Sequence, residues 1–378
     1  MQILIRKMRN THPFLFVRKK NCYRNAQAVT NKHTQNVDDT QEILYHDGRN
    51  ISAIESGFYH FFEMFQTKKL RRRDKMKFNE FTETVRDGLE VLFEPDNMEV
   101  AVTRVVKNNG LILTGINIRD RNSMITPTIY IDDFYREDIQ KEEIHTVVLR
   151  IKDIFTERCT KVSSDNEIQN YMDFNWVKNR LIYTVVNQSM NEEYLEHVPY
   201  IPFHDLAIIF RCVFHKGENG MASSTVSEDD LKRWHTDTKT LYQLAERNTP
   251  RYFPPVIDRI TAYLKARNCL PAFVEDEFSG ECGELYVISN EMGLNGAGAM
   301  LYRGILDMCT ELAGDSIYIM PSSIHECMFV EAGKVSEPKM LADIVKEAND
   351  SVLHRQDILS YNVYYYDRKK HMLTTVTV

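Results

Sequence analysis

Residues 285–330, LYVISNEMGLNGAGAMLYRGILDMCTELAGDSIYIMPSSIHECMFV, decide how the chain is read. A short apolar run over 285–289 meets a glycine-rich turn, and apolar residues then recur at helical spacing over 297–313. Two more apolar runs, 316–320 and 326–330, are joined by Pro321-Ser322-Ser323-Ile324. Outward toward the C-terminus, a helix is predicted over 338–349 and strands over 360–367 and 372–378. The order β-α-β-β-α-β is the split β-α-β pattern of ferredoxin-like sandwiches, which makes the fold class α+β.

Outward in the other direction, acidic Glu275–Glu284 reads as a linker, and a helix is predicted from about Pro255 to Ala266. A helix over Leu241–Arg247 is expected to stop at Thr249-Pro250, because an interior proline removes a backbone donor. Ser227 and Asp230 have the spacing of a capping box. Strands are predicted over Arg180–Val186 and Asp205–Phe214, with a short helix near Glu192–Glu196 between them. Asn108-Asn109-Gly110 lies between the β-branched runs 99–106 and 111–116, the strongest short hairpin signal, because such turns need positive φ. Thr128–Ile131 extends this antiparallel meander, which is flanked by helices over 78–92 and 142–155. The expected organisation is a basic leader (1–75), a helix plus β-meander plus helix (76–160), an α+β middle region (175–270) and the βαββαβ domain (283–378).

Charge separates the leader from the rest. Fifteen Lys and Arg stand against 7 Asp and Glu before Met76, a net +8, and the remainder has 32 against 47, a net −15. An acidic body argues against phosphate-backbone binding as its main work. The Lys68–Lys75 run gives the leader a nucleic-acid reading, beside the simpler one of a solvated tail. Arg71-Arg72-Arg73 shortly before Met76 is what a purine-rich ribosome-binding site yields when translated, so the native start is expected at Met76. No apolar run reaches the ~20 residues of a membrane helix. The seven cysteines, Cys22, Cys159, Cys212, Cys269, Cys282, Cys309 and Cys327, contain no C-x-x-C pair and read as reduced thiols of a cytoplasmic protein.

Ser322, Ser323, His325, Glu326 and Cys327 hold nucleophile, base and metal-ligand types within six residues. As catalytic candidates, Ser322, Ser323, His325 and Glu326 would make a hydrolase site, with Glu291 or Asn295 nearby. As metal candidates, His325 and Cys327 would supply half of a zinc site. Alternation along a strand predicts His325 and Cys327 on one face and Glu326 on the other, which counts against convergence. The favoured reading is a tight hairpin whose Ser and Pro act locally. Gly293–Gly298 opens a helix after a strand but is neither G-x-G-x-x-G nor a P-loop, so a tight turn is expected there. The acidic clusters Asp132-Asp133 and Glu275-Asp276-Glu277 lack a calcium-loop pattern. Tyr364–Tyr366 beside Arg368–His371 interleaves aromatics with cations, with Val363 and Tyr365 expected to face the core.

From Met76 onward the chain resembles an uncharacterised, domain-of-unknown-function bacterial family of gut anaerobes, often encoded in mobile or accessory regions. The residues that carry the resemblance are Met76–Phe81, Val105–Gly115, Ala245–Pro250, Pro321–Glu326 and Leu359–Tyr364. The resemblance implies no activity, cofactor or catalytic residue. The sequence therefore supports a cytoplasmic binding or accessory protein without cofactors, with a protein partner favoured over nucleic acid. The alternatives are a hydrolase or metal-dependent enzyme at Ser322–Cys327, or a nucleic-acid binder acting through the leader.

Overall fold

The structure, a computed structural model, describes residues 76–120, 128–156, 170–217, 220–267 and 284–376. It divides into two compact units. The leader and the 275–283 part of the expected linker lie outside the described residues.

The smaller unit opens with helix α1 (Phe78–Phe93), whose Phe81, Val85, Leu89 and Leu92 fall at spacings of three and four and are all buried. Strands β1 (Met98–Val106), β2 (Ile112–Asp120) and β3 (Thr128–Tyr130) form an antiparallel sheet in that order. Val100, Ile116, Ile118 and Ile129 bury one face of the sheet against α1 and against Ile144, Val148 and Ile151 of helix α2 (Lys141–Ile154). Full burial of such side chains contributes about 1.5–3 kcal/mol each before chain entropy is charged against it. In the turn Asn108–Gly110, Asn109 and Gly110 adopt φ of 60° and 66°, the left-handed geometry that the Asn-Asn-Gly signal requires.

The larger unit takes in that turn, Asn108–Leu111, together with the chain from Met172 onward. Its first sheet has strand β4 (Leu181–Asn187), which is buried along its whole length, β5 (Tyr200–Phe203), β6 (Leu206–Gly217) and β7 (Gly220–Thr225). All are antiparallel, and β6 pairs with each of the other three. A single helical turn, α3 (Glu192–Leu195), links β4 to β5. Helix α4 (Glu228–Trp234) starts at Ser227, and the expected capping box is present: the Asp230 N–H donates to Ser227 Oγ and the Ser227 N–H to Asp230 Oδ2. Ser227→Ala is expected to cost about 1 kcal/mol, read from the denaturation midpoint.

Helix α5 (Thr238–Tyr252) runs past Pro250 rather than stopping before it. Proline removes one donor only, within the last turn, and Thr249 anchors that turn: its hydroxyl donates to Ala245 O and accepts from the Tyr183 N–H. The stretch from Pro255, expected as helix, is strand β8 (Pro255–Arg259), followed by helix α6 (Ile260–Ala266). Antiparallel pairing with β9 (Tyr286–Asn290) overrides the local helical signal, and Pro255 is tolerated as the first residue of an edge strand.

The second sheet is entirely antiparallel, in the order β13-β12-β10-β11-β9-β8. Here β10 is Ile317–Met320, β11 Cys327–Glu331, β12 Val363–Asp367 and β13 Met372–Val376. Helix α7 (Ile305–Ala313) joins β9 to β10, and helix α8 (Pro338–Ser351) lies between β11 and β12. The β-α-β-β-α-β element order is present. Each β-α-β connection is split by one strand, and β12 joins beside β10 rather than beside β9. The single helix expected over 297–313 is two pieces, a 3-10 segment Gly296–Leu301 and α7, separated at Gly304, where φ is 80°. The core of this sheet includes Val287, Val330, Val363, Leu341 and Val345, with Tyr263 and Leu264 of α6.

Candidate functional site

The Pro321–Cys327 loop is built from turn chemistry. Its His325 N–H donates to Ser323 Oγ at 3.0 Å, so that hydroxyl closes the turn. The loop then joins the segment preceding β12: Leu359 N–H donates to Ser322 O (2.8 Å), Ile324 N–H donates to Asp357 O (2.9 Å), and Ser323 forms an antiparallel bridge with Ile358. On the other side Ser289 Oγ donates to His325 O (2.9 Å). Strand β11 begins only at Cys327, so His325 and Glu326 lie in the loop and strand alternation does not govern them.

The His325 ring is held from two directions. Its Nδ1 accepts the Asn295 N–H at 3.3 Å, which leaves the proton on Nε2, 3.5 Å from Asp357 Oδ1. A Ser-His-acid triad needs the unprotonated imidazole nitrogen to face the serine hydroxyl. Here that nitrogen faces a backbone amide, while Ser323 Oγ serves the His325 backbone. Ser322 and Ser323 are both buried. Cys327 is fully buried, with Sγ beside Ala297 O and Met300 Sδ, and burial pushes its thiol far above the ordinary range. Burial also raises the thiols of Cys212 and Cys309, each to about 12. A thiol held protonated is a poor nucleophile and a poor metal ligand. No group of three or more His, Cys, Asp or Glu placed to hold a metal ion occurs among the described residues.

Glu326 stands apart from its neighbours. Its side chain is buried, and burial raises its carboxyl to about 7; nearby His325 and Arg267 oppose this shift, and Asp357 adds to it. Arg267, just beyond α6, lies over the Tyr263 ring and donates to Asn290 O. Asp357 and Arg267 are the members of this cluster that sequence reasoning missed, since they come from segments about 30 and 60 residues away and no motif links them.

The glycine-rich turn offers little to an anion. Gly293 N–H donates to Asn290 O, Leu294 N–H to Asn290 Oδ1, Asn295 N–H to His325 Nδ1 and Ala297 N–H to Ile324 O. Four donors that could have cradled a phosphate are thus engaged within the protein. Gly296 is needed for close approach: a Cβ there would lie 2.3 Å from Ser289 Oγ and 2.5 Å from His325 O. Asn295 borders a small internal space, whereas Glu291 is exposed.

The remaining sequence candidates have structural roles. Asp132 accepts the Thr114 N–H, and Glu275–Glu277 lie outside the described residues. Val363 belongs to the core as expected, but Tyr365 is only half-buried, whereas Tyr364 and Tyr366 are buried: Tyr364 donates to Asp205 and Tyr366 to Asp307. Neither presents a face on which a base could stack.

A surface groove of about 420 Å³ lies elsewhere in the larger unit, lined by Gln188, Ser189, Glu192, Leu195, Glu196, Tyr200 and Asp205. Asp205 in its lining accepts from the Ser360 and Tyr364 hydroxyls. Glu192 and Glu196, one helical turn apart at α3, are exposed. No sequence signal marked this groove, because its residues meet only when β4, α3 and the β5–β6 turn come together.

A family model described as a family of unknown function, DUF5688, matches residues 78–368. The chain belongs to the DUF5688 family. That span opens at the first residue of α1 and closes just after β12, so the loop, the glycine-rich turn and the groove are all family territory. No curated protein and no solved structure matches the chain. No helix among the described residues is long and apolar enough to cross a membrane.

Proposed function

We propose that this DUF5688 protein is a cytoplasmic accessory protein that works by binding, and that its groove takes a lysine- or arginine-bearing segment of a protein partner. The observation that carries this reading is the internal engagement of the Pro321–Cys327 loop. The Ser323 hydroxyl and both described His325 ring contacts serve the fold, and the Cys327 thiol is buried and protonated. The groove, by contrast, has the ~300–1,000 Å³ scale of a ligand site and mixes apolar Leu195 and Tyr200 with three carboxylates. Charge complementarity selects a cationic segment, as does the net −15 of the chain from Met76 onward.

The test is a titration of the full chain with two labelled peptides of equal length, one rich in Lys and Arg and one rich in Asp and Glu. The basic peptide is expected to bind, with affinity falling as salt rises. Reversing both charges with Glu192→Lys and Glu196→Lys is expected to weaken it at least ~10-fold, about 1.4 kcal/mol. Equal binding of the two peptides, or an unaffected variant, would sink the proposal. The enzyme reading draws on one observation, a buried acid with a carboxyl near 7 beside the His325–Asp357 pair. It requires ester or phosphoester turnover that disappears in His325→Asn.

A further inference from the structure

Glu326 has no part in the binding function, yet the chain buries it. The residue is 5% exposed, and its lost hydration is the largest influence on its carboxyl. The charged groups facing it are His325 from its own loop, Arg267 from the end of α6 and Asp357 from the turn before β12; the buried thiol of Cys327 flanks it on the strand. Burial at this depth disfavours the charged carboxylate and favours the neutral acid. Around it the loop and the turn are pinned by two backbone hydrogen bonds, the Ser323–Ile358 bridge and the His325–Asp357 pair.

We propose that the Pro321–Cys327 loop and the Arg355–Ile358 turn form a proton-operated latch, closed while Glu326 is neutral and loosened when Glu326 ionises. The chemistry is one proton transfer: the Glu326 O–H bond breaks, the proton passes to water, and the carboxylate keeps the electron pair. The new charge competes with Asp357 for His325 and attracts Arg267. Because His325 Nδ1 also holds the Asn295 N–H, a ring drawn toward Glu326 withdraws that acceptor from the glycine-rich turn. One proton therefore bears on three segments, 293–297, 321–327 and 355–358.

Its pH sense follows from the raised carboxyl. In the unfolded chain the group titrates near 4.5, and in the folded chain near about 7. The folded state binds the proton more tightly, so the stability it contributes is full below pH 4.5 and is lost as pH rises to about 7.

Hydrogen–deuterium exchange on the full chain tests the latch through the amides of Ile324, Leu359 and Asn295, corrected for intrinsic exchange. Between about pH 6 and about pH 8, protection at these amides is expected to fall ~10-fold or more in the parent chain. It is expected to stay level in Glu326→Gln, and amides of β4 are expected to stay level in both proteins. Matching pH profiles in the two chains would overturn the latch, and so would a level profile in the parent. Should Glu326→Gln not fold, infrared spectroscopy of the parent reads the same proton. The carbonyl band of a buried protonated carboxyl must be present at the lower pH and vanish in step with Ile324 protection, and failure of either overturns the proposal.

Discussion

Gly296→Ala is expected to destabilise the larger unit by about 3 kcal/mol or more, a large part of the ~5–15 kcal/mol by which domains are held folded. The added methyl would meet His325 O at 2.5 Å and Asn290 N at 2.9 Å, both backbone atoms, besides Ser289 Oγ at 2.3 Å. Side chains can rotate away from such a contact, but here the 290–296 turn and the Pro321–Cys327 loop would have to separate. That would break the Ser289–His325 and Ala297–Ile324 hydrogen bonds. Gly298→Ala is the control: its methyl would meet only the Tyr183 ring, at an ordinary 3.5 Å, so little change is expected. Thermal or urea unfolding followed by circular dichroism measures both, and a Gly296→Ala protein within about 1 kcal/mol of the parent would refute the packing argument.

Asn109→Ala is the second large effect, expected to cost about 3–5 kcal/mol. Asn109 is fully buried, and its Nδ2 donates to Arg355 O and Ile358 O, each at 2.7 Å. Its Oδ1 accepts from Asn191 Nδ2 at 2.9 Å, while its own N–H donates to Asn191 Oδ1 at 2.8 Å. Truncation leaves the buried Ile358 carbonyl, the part-buried Arg355 carbonyl and one amide without these partners, and it puts alanine at φ 60°, where asparagine is better tolerated. Because the two asparagines bond reciprocally, Asn109→Ala with Asn191→Ala is expected to cost clearly less than the two single changes added together. A double variant that is simply additive would remove the reciprocal pair from the account.

The same turn shows how far the sequence could be read. Asn108-Asn109-Gly110 announced a hairpin because left-handed φ is a local demand, and the turn stands where expected. Nothing local reveals that Asn109 also binds the segment at 355–358, so its burial was not legible. Helices α1, α2 and α8 and strands β4, β6 and β10–β13 were visible as apolar periodicity. Strand β8 was not, because Pro255–Arg259 has too few residues to separate the two periods, and its identity comes from pairing with β9. At the loop, Pro321, Ser322 and Ser323 correctly signalled a turn. The expected division of His325 from Glu326 assumed strand geometry that starts only at Cys327. Asp357 and Arg267 were beyond reach, because side chains converge through the fold and not through spacing.

The turn at Asn108–Leu111 also bears on the order in which the chain is made. Its partners at Arg355 and Ile358 lie 246 and 249 residues further along. At ~5–20 residues per second, a ribosome takes roughly 12–50 s to deliver them after Asn109 has been added. Until then the side-chain amide of Asn109 has only water in place of two of its final acceptors. A gene fragment beginning at residue 172 would lack Asn109 altogether and leave Arg355 O, Ile358 O and Asn191 Nδ2 without these partners. Dissecting this protein into independently expressed halves at that point therefore removes four residues that the second half cannot supply for itself.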